Sequence, residues 1–377
     1  MKFICTKENL IRALNVVSPL AGKQSNLPIL DNILIQAKGS LIELYSTNLE
    51  SAIKTSSRAR VEKEGSFTVP AKTLTEYVHL LNEEQVEVTV DGNELLIVCG
   101  SSSTKIKGTS SDEYPVIPEL GEHQIFSFDL ASFKNALARV VIAVAKNEIR
   151  PELSGLYFGF GMEHYPEGLV LAATDSYRLA ESKIPFKKRE NGDISSIVPA
   201  RVVQEIIRLL SLAEREASPG EDPQLLISKN QIALHFFGTQ LIARLVEGTY
   251  PDYVQIIPKN FKTRAVVPVD IMINKIKAAS LFSASGINAV SFDLNVSNKT
   301  MGISSMSSQT GEHSSEIESE LEGEENSILL NFRYVLDGLQ HMPGETIFFG
   351  VNSGESPCVL RPSKEDGYTY VVMPIRK

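Results

Sequence analysis

The sequence predicts an α+β chain of three repeated units, each with two helices packed on antiparallel sheet. Three observations predict it. Val69-Pro70-Ala71 and Val198-Pro199-Ala200 each open an apolar helical stripe, and Leu330-Asn331-Phe332 opens a third, with asparagine where the others have proline. Strand-like runs and turn signals recur around these stretches with a period of ~120–130 residues, far beyond the repeat length of solenoids. A cation follows each opening at the same place: Lys72, Arg201 and Arg333.

Taken in order, Phe3-Ile4-Cys5 reads as a strand, and Thr6 as the cap of a helix carrying Leu10, Ile11, Leu14 and Val17. A polar loop from Ser18 to Asn26 contains Lys23. Strands are expected at Ile29–Ala37, Leu41–Ser46 and Ala52–Ala59, then a helix over 70–81. Val86–Val90, the Asp91-Gly92 hairpin signal, Leu95–Cys99 and Lys105–Lys107 close the unit. The cycle restarts near residue 125, with Phe133, Ala136 and Leu137 standing where Leu10, Ala13 and Leu14 stood. Leu169–Ala180 matches Ile42–Ile53, and Tyr250-Pro251 mirrors Tyr114-Pro115. The third cycle has helices over 269–280 and 331–341 and strands at Val290–Val296, Met301–Met306, Ile347–Val351, Cys358–Arg361 and Tyr370–Ile375. The stretch Glu312–Glu325 holds seven glutamates and is read as a solvated face or loop rather than a partner site.

A chain of 377 residues is long enough for two or three cores. The expected domains are 1–122, 123–258 and 259–377, with linkers at Gly121–Gln124 and Lys259–Arg264. The composition, 42% hydrophobic and 22% charged, is that of a globular protein, and the net charge of −9 argues against simple electrostatic binding of nucleic acid. No signal-peptide pattern or membrane-length apolar run is seen, so a cytoplasmic location is expected. Cys5, Cys99 and Cys358 are scattered and odd in number, which fits a reducing compartment without disulfides or zinc spacing.

Enzyme motifs are absent. Gly22-Lys23 lacks the upstream glycine of a phosphate-binding loop, and Gly159-Phe160-Gly161 has His164 where a dinucleotide fingerprint needs glycine. Gly354-Glu355-Ser356-Pro357-Cys358 misses the nucleophile elbow at its last position. Thr174-Asp175-Ser176-Tyr177-Arg178 is dense in polar groups but has no evident base beside it. No cofactor or metal is expected. The six predicted helices carry twice as many cations as carboxylates, so the rest of the chain is strongly acidic. Ordinary helix-surface lysine and arginine would explain this. So would a basic helical surface that attracts phosphates without reading bases.

The motifs then converge on one family. Leu27-Pro28-Ile29-Leu30, the two Val-Pro-Ala openings, Thr174-Asp175-Ser176-Tyr177-Arg178-Leu179, Tyr250-Pro251-Asp252-Tyr253 and the terminal Tyr370-Val371-Val372-Met373-Pro374-Ile375-Arg376 resemble the bacterial sliding clamp, the beta subunit of DNA polymerase III. The resemblance spans essentially the whole chain. Departures are Ser176-Tyr177, where many relatives have Gly-His, Gln255 in place of a basic residue, and the Glu312–Glu325 run and the loop at Ala213–Pro223, which are longer or more acidic than usual.

The resemblance implies the DNA clamp fold and a head-to-tail homodimer that closes a ring around duplex DNA as a non-catalytic processivity factor. DNA-facing residues would be Lys23, Lys72, Arg139, Lys146, Arg150, Arg201, Arg208, Lys275 and Arg333. The subunit interface would join Lys105, Ile106 and Lys107 to Leu281 and Phe282. A pocket for short hydrophobic peptides would be lined by Leu153, Thr174, Ser176, Tyr177, Arg178, Leu179, Pro251, Ile256, Val371, Val372, Met373, Pro374, Ile375 and Arg376. Its partners would be the polymerase III alpha subunit, the clamp loader, other polymerases and repair proteins, with no membrane involved. Period-two alternation predicts that Val371, Met373 and Ile375 face opposite to Val372, Pro374 and Arg376. The competing classes are an enzyme whose site the sequence hides and a scaffold ring that holds no nucleic acid.

Overall fold

The computed structural model describes every residue except 23–26, 118, 147–148, 190–192, 217–221, 285, 365–366 and 377. Among the described residues six α-helices run α1 Lys7–Val17, α2 Ala71–Leu80, α3 Leu130–Val141, α4 Ala200–Glu216, α5 Val269–Ser280 and α6 Phe332–Gln340. The expected caps form: Thr6 accepts from the Asn9 N–H at the start of α1, and Asn331 from the Arg333 N–H at the start of α6. Pro70 and Pro268 sit one residue earlier than the first helical turn, at the N-cap itself. The helix α4 runs on to Glu216, so the expected loop at Ala213–Pro223 begins as a helical turn. Lys23 and most of the rest of that loop lie outside the described residues.

Among the described residues the strands form four antiparallel sheets of five, nine, nine and four strands. The five-stranded sheet runs Arg60–Lys63, Lys2–Thr6, Gln85–Asp91, Glu94–Cys99, Ser102–Lys107. The four-stranded sheet runs Gly311–Glu318, Thr300–Ser307, Ala289–Asn295, Asn326–Asn331. Each nine-stranded sheet is a five and a four fused edge to edge. In the first, Thr239–Arg244 ends a five from the second repeat and pairs with Ser51–Arg58, which ends a four from the first. In the second, Arg178–Pro185 ends a four from the second repeat and pairs with Tyr368–Val372, which ends a five from the third.

These fusions make the packing divide differently from the chain order. One compact unit contains Met1–Leu130, Lys187–Asn191 and Arg208–Leu245; the other contains Ala131–Phe186, Gly192–Ile207 and Val246–Lys377. The repeat expected at 123–258 is therefore shared between them, because its two sheets are completed by strands of the flanking repeats. In the first unit, Phe3, Leu10, Leu14, Ile53, Leu74, Phe126 and Leu241 are buried core. In the second, Phe133, Phe158, Met272, Phe292, Phe349 and Tyr370 are.

The acidic stretch is not a loop. Gly311–Glu318 is the edge of the four-stranded sheet and Glu320–Gly323 the edge of a nine-stranded one. Ile317 and Leu321 turn inward while Glu312, Glu316, Glu318, Glu320 and Glu322 meet solvent or its margin. Charged outward residues on an edge strand oppose uncontrolled pairing. No helix among the described residues is long and apolar enough to cross a membrane.

Candidate partner-peptide site and helix cations

The polar motif at 174–178 folds into a tight turn that joins two buried strands. Thr174 donates its hydroxyl to the Arg178 carbonyl at 2.7 Å and accepts from the Ser176 N–H at 3.1 Å. Ser176 has φ 76°, a left-handed conformation that costs a serine more than it would a glycine. The carboxylate of Asp175 accepts the Tyr177 and Arg178 N–H groups at 3.0 Å each. The turn therefore pushes Tyr177 outward, 63% exposed, while Arg178 turns in and is 5% exposed.

Arg178 is held from three sides. Its guanidinium reaches Asp175 Oδ2 at 3.1 Å and Asp337 Oδ2 at 2.5 Å, and lies over the Tyr334 ring at 4.6 Å. Burial alone would disfavour its charge. Tyr370, Asp337 and Asp175 outweigh that and hold its pKa above the ordinary arginine value. Tyr177 stacks on Tyr334 with ring centroids 6.5 Å apart. Beneath the turn, Tyr250 accepts the Thr174 N–H, and Tyr253 donates to Glu181 at 2.9 Å. Burial, then the Glu181 carboxylate, pushes the Tyr253 phenol well up, so it remains a donor at any physiological pH.

The floor is apolar. Leu179, Val371, Val359, Ala172 and Tyr253 form one buried cluster with Tyr157, Tyr250, Ile257 and Phe261 packed against it. Leu153 is buried, Pro251 half-buried, and Ile256 37% exposed. The terminal segment departs from the expected alternation. Val371 and Val372 are both fully buried, because Tyr368–Val372 is a central strand covered on both faces. Regular pairing stops at Val372, and Met373, Pro374 and Ile375 leave the sheet half-buried, with Arg376 exposed. The Met373 N–H still donates to Tyr177, and the Ile375 N–H to Leu329, each at 2.8 Å. All the nominated cleft residues lie in one compact unit. Sequence reasoning missed Tyr334 and Asp337, which follow Arg333 on α6.

The nominated cations divide into two kinds. Lys72, Lys146, Arg150, Arg201 and Arg333 are exposed, although Arg150 pairs with Glu152 at 2.9 Å. Lys72, Arg201 and Arg333 are each the second residue of a helix: α2, α4 and α6. Arg139, Arg208 and Lys275 are half-buried. Arg208 departs most from a solvent-facing role: it donates to the Asn15 and Val16 carbonyls at 2.8 and 2.7 Å, clasping the C-terminal turn of α1. Arg139 lies over the Tyr368 ring at 5.9 Å. Among the described residues no cluster of His, Cys, Asp and Glu is placed to hold a metal.

Solved structures similar to this chain include DNA polymerase III beta subunits and sliding clamps. The chain superimposes over 100% of its length on 99% of the Thermotoga maritima DNA polymerase III beta subunit, with TM-score 0.90 and 26% identity. It covers 99% of the Bacillus subtilis sliding clamp with TM-score 0.92 and 25% identity. Among curated proteins, the beta sliding clamps of Synechococcus elongatus and Halalkalibacterium halodurans are 28% and 29% identical, over 100% of this chain and 99% and 100% of theirs. Sequence profiles of the DNA polymerase III beta subunit match in series: the N-terminal domain at 1–118, the central domain at 128–252 and the C-terminal domain at 254–376. The chain belongs to the DNA polymerase III beta subunit family, the processivity factors of DNA polymerase.

Proposed function

We propose that two copies of this chain join head to tail into a ring that encircles duplex DNA, slides without reading sequence, and tethers replication and repair proteins by short peptides. The observation that carries this reading is the sheet arithmetic. Every internal joint fuses a five to a four, and one five and one four are left with open edges at Ser102–Lys107 and Gly311–Glu318. A second copy completes both. Lys105, Ile106 and Lys107 then belong to the interface, with Leu281, 72% exposed, and Phe282 near the acidic edge. The domain limits 1–122, 123–258 and 259–377 are those of the three repeats, and the ring catalyses nothing itself.

Phosphate contact falls to the cations that remain exposed, Lys72, Arg201 and Arg333 first, with Lys146 and Arg150. A topological link needs little affinity, so a chain of net charge −9 can hold DNA by a few weak contacts. The cleft around Tyr177, Ile256, Pro251 and Met373–Arg376 takes an extended peptide with hydrophobic anchors, Leu179 and Val371 forming its floor. Deleting residues 373–377 removes part of its wall but leaves every strand in place. The expected outcome, read by fluorescence anisotropy with a hydrophobic clamp-binding peptide, is loss of well over tenfold in affinity, at roughly 1.5–3 kcal/mol per lost anchor contact. A truncated dimer that binds as tightly as the full chain overturns the cleft.

A further inference from the structure

The two internal joints carry one turn in duplicate. The Tyr177 cleft is built on residues 174–178, beside the joint of Arg178–Pro185 with Tyr368–Val372. Residues 47–51 hold the same place beside the other joint, that of Ser51–Arg58 with Thr239–Arg244. The Thr47 hydroxyl donates to the Ser51 carbonyl at 2.9 Å and accepts the Leu49 N–H at 3.1 Å, as Thr174 does with Arg178 and Ser176. Asn48 takes the part of Asp175 and accepts the Glu50 and Ser51 N–H groups at 3.1 and 2.8 Å. Leu49 has φ 73° where Ser176 has 76°.

The surroundings match as well. Leu30 and Leu153 are buried in short turns that begin with Pro28 and Pro151, and their carbonyls accept from the Gly22 and Ala145 N–H groups at 3.0 Å each. Tyr114, the counterpart of Tyr250, reaches the Tyr45 carbonyl at 3.4 Å and the Thr47 backbone. Arg244 donates its N–H to the Glu50 carbonyl as Met373 does to that of Tyr177, so Leu245 follows where Pro374 does. Ile242 stands opposite Ala52 and Ala233 as Val371 stands opposite Leu179 and Val359. Ile242, Ala233 and Leu226 form a buried floor with Leu120 and Ile125 packed against it.

One residue of this duplicate costs the chain on two counts. Leucine is disfavoured in the left-handed conformation, and Leu49 is also 52% exposed. Glycine or asparagine would serve the turn better. Val116, just beyond Tyr114, is 93% exposed, and Leu27 is exposed at the start of its own turn. Resting on the reading of the Tyr177 cleft as a peptide site, we propose that Leu49, Val116, Leu27 and Leu245 form a second peptide site at the first joint. Its occupant is a short extended peptide with a hydrophobic anchor and basic flanks, and the strain at Leu49 is kept because that side chain meets the anchor.

Charge selects the occupant. Glu50 is exposed where the other cleft has Tyr177, Glu119 is exposed beside Leu120, and the exposed Glu113 precedes Tyr114. Arg244 is exposed at the place of Met373. Three carboxylates against one guanidinium favour a peptide with lysine or arginine beside its anchor. This site is the weaker of the two. Ala52 and Ala233 flank Ile242 where Leu179 and Val359 flank Val371, so less apolar surface meets the anchor. Ser51 stands where Arg178 braces the other turn, so this one lacks that guanidinium.

The test uses the full chain and the chain lacking residues 373–377. A fluorescent peptide with a hydrophobic anchor is made once with lysine flanks and once with glutamate flanks, and binding is read by anisotropy. On the truncated chain the lysine-flanked peptide should still bind, weakly, and more tightly than the glutamate-flanked one. Leu49→Asn should raise its dissociation constant there about tenfold, and Val116→Ser should act in the same direction. The thermal midpoint of Leu49→Asn should stay level or rise, because asparagine suits the turn. On the full chain Leu49→Asn should leave tight binding unchanged. Absence of binding to the truncated chain, equal binding of the two peptides, or a Leu49→Asn variant that melts lower and binds as before overturns the second site. Tight binding to the full chain upholds the Tyr177 cleft in each of those cases. Tight binding that survives the deletion and is lost on Leu49→Asn upholds the second site and overturns the Tyr177 cleft.

Discussion

Arg178 was marked in the sequence as a cleft residue, and its place there is structural. Its guanidinium is buried and fixed between Asp175 and Asp337, so it props the turn that carries Tyr177 instead of presenting charge to a ligand. Replacing it with Met would leave Asp175, itself 15% exposed, without its cation. Asp337 is 45% exposed and regains water, which discounts its share. The expected cost is about 2–3 kcal/mol in urea unfolding, with weaker peptide binding. An unchanged urea midpoint would show that the arginine props nothing. This role was illegible in the sequence because Asp337 lies 159 residues away from Arg178 along the chain. The local part, Asp175 and Thr174 folding back on their own backbone, was within reach of turn chemistry.

The helix α6 contains a glycine in its interior, normally a cost of about 1 kcal/mol relative to alanine. Gly338 is there because a Cβ would come within 2.4 Å of the Tyr370 ring. Tyr370 fills that gap and donates to the Tyr334 carbonyl at 2.9 Å, tying the helix to the strand under the cleft. Gly338→Ala should therefore destabilise by about 1–2 kcal/mol in spite of the better helix former, because overpacking outweighs propensity. A thermal melt that rises instead would mean the ring has room to shift. At this scale the sequence was informative where period and caps agree. All six helices lie where the stripes put them, to within a residue or two except at the end of α4. The edge strands were lost because Glu312, Glu316 and Glu318 face solvent and only Ile317 among their neighbours is deeply buried, so the apolar alternation that signals a strand is nearly erased. The terminal strand was misjudged for the opposite reason: covered on both faces, it has no alternation to read.

The three-fold repeat was legible across the whole chain, since Lys72, Arg201 and Arg333 mark equivalent helical positions. The fused sheets were not, because pairing between repeats depends on strands far apart in sequence. Reversing all three cations to Glu should shorten retention on nicked circular DNA, most at moderate salt, while leaving the dimer intact. Equal retention at low salt would remove them from the DNA-facing surface. The burial that fills these sheets also silences two of the chain's thiols. Burial pushes the Cys5 thiol up to about 12 and Cys358 well above its ordinary value, so neither is a nucleophile at neutral pH. Cys358 stands opposite Val372, at the last paired position before the terminal segment leaves the sheet. A reagent can reach it only when that strand pair parts, so its rate of alkylation is a clock for the breathing of the floor beneath the proposed cleft, and under the proposed function a bound peptide should slow that clock.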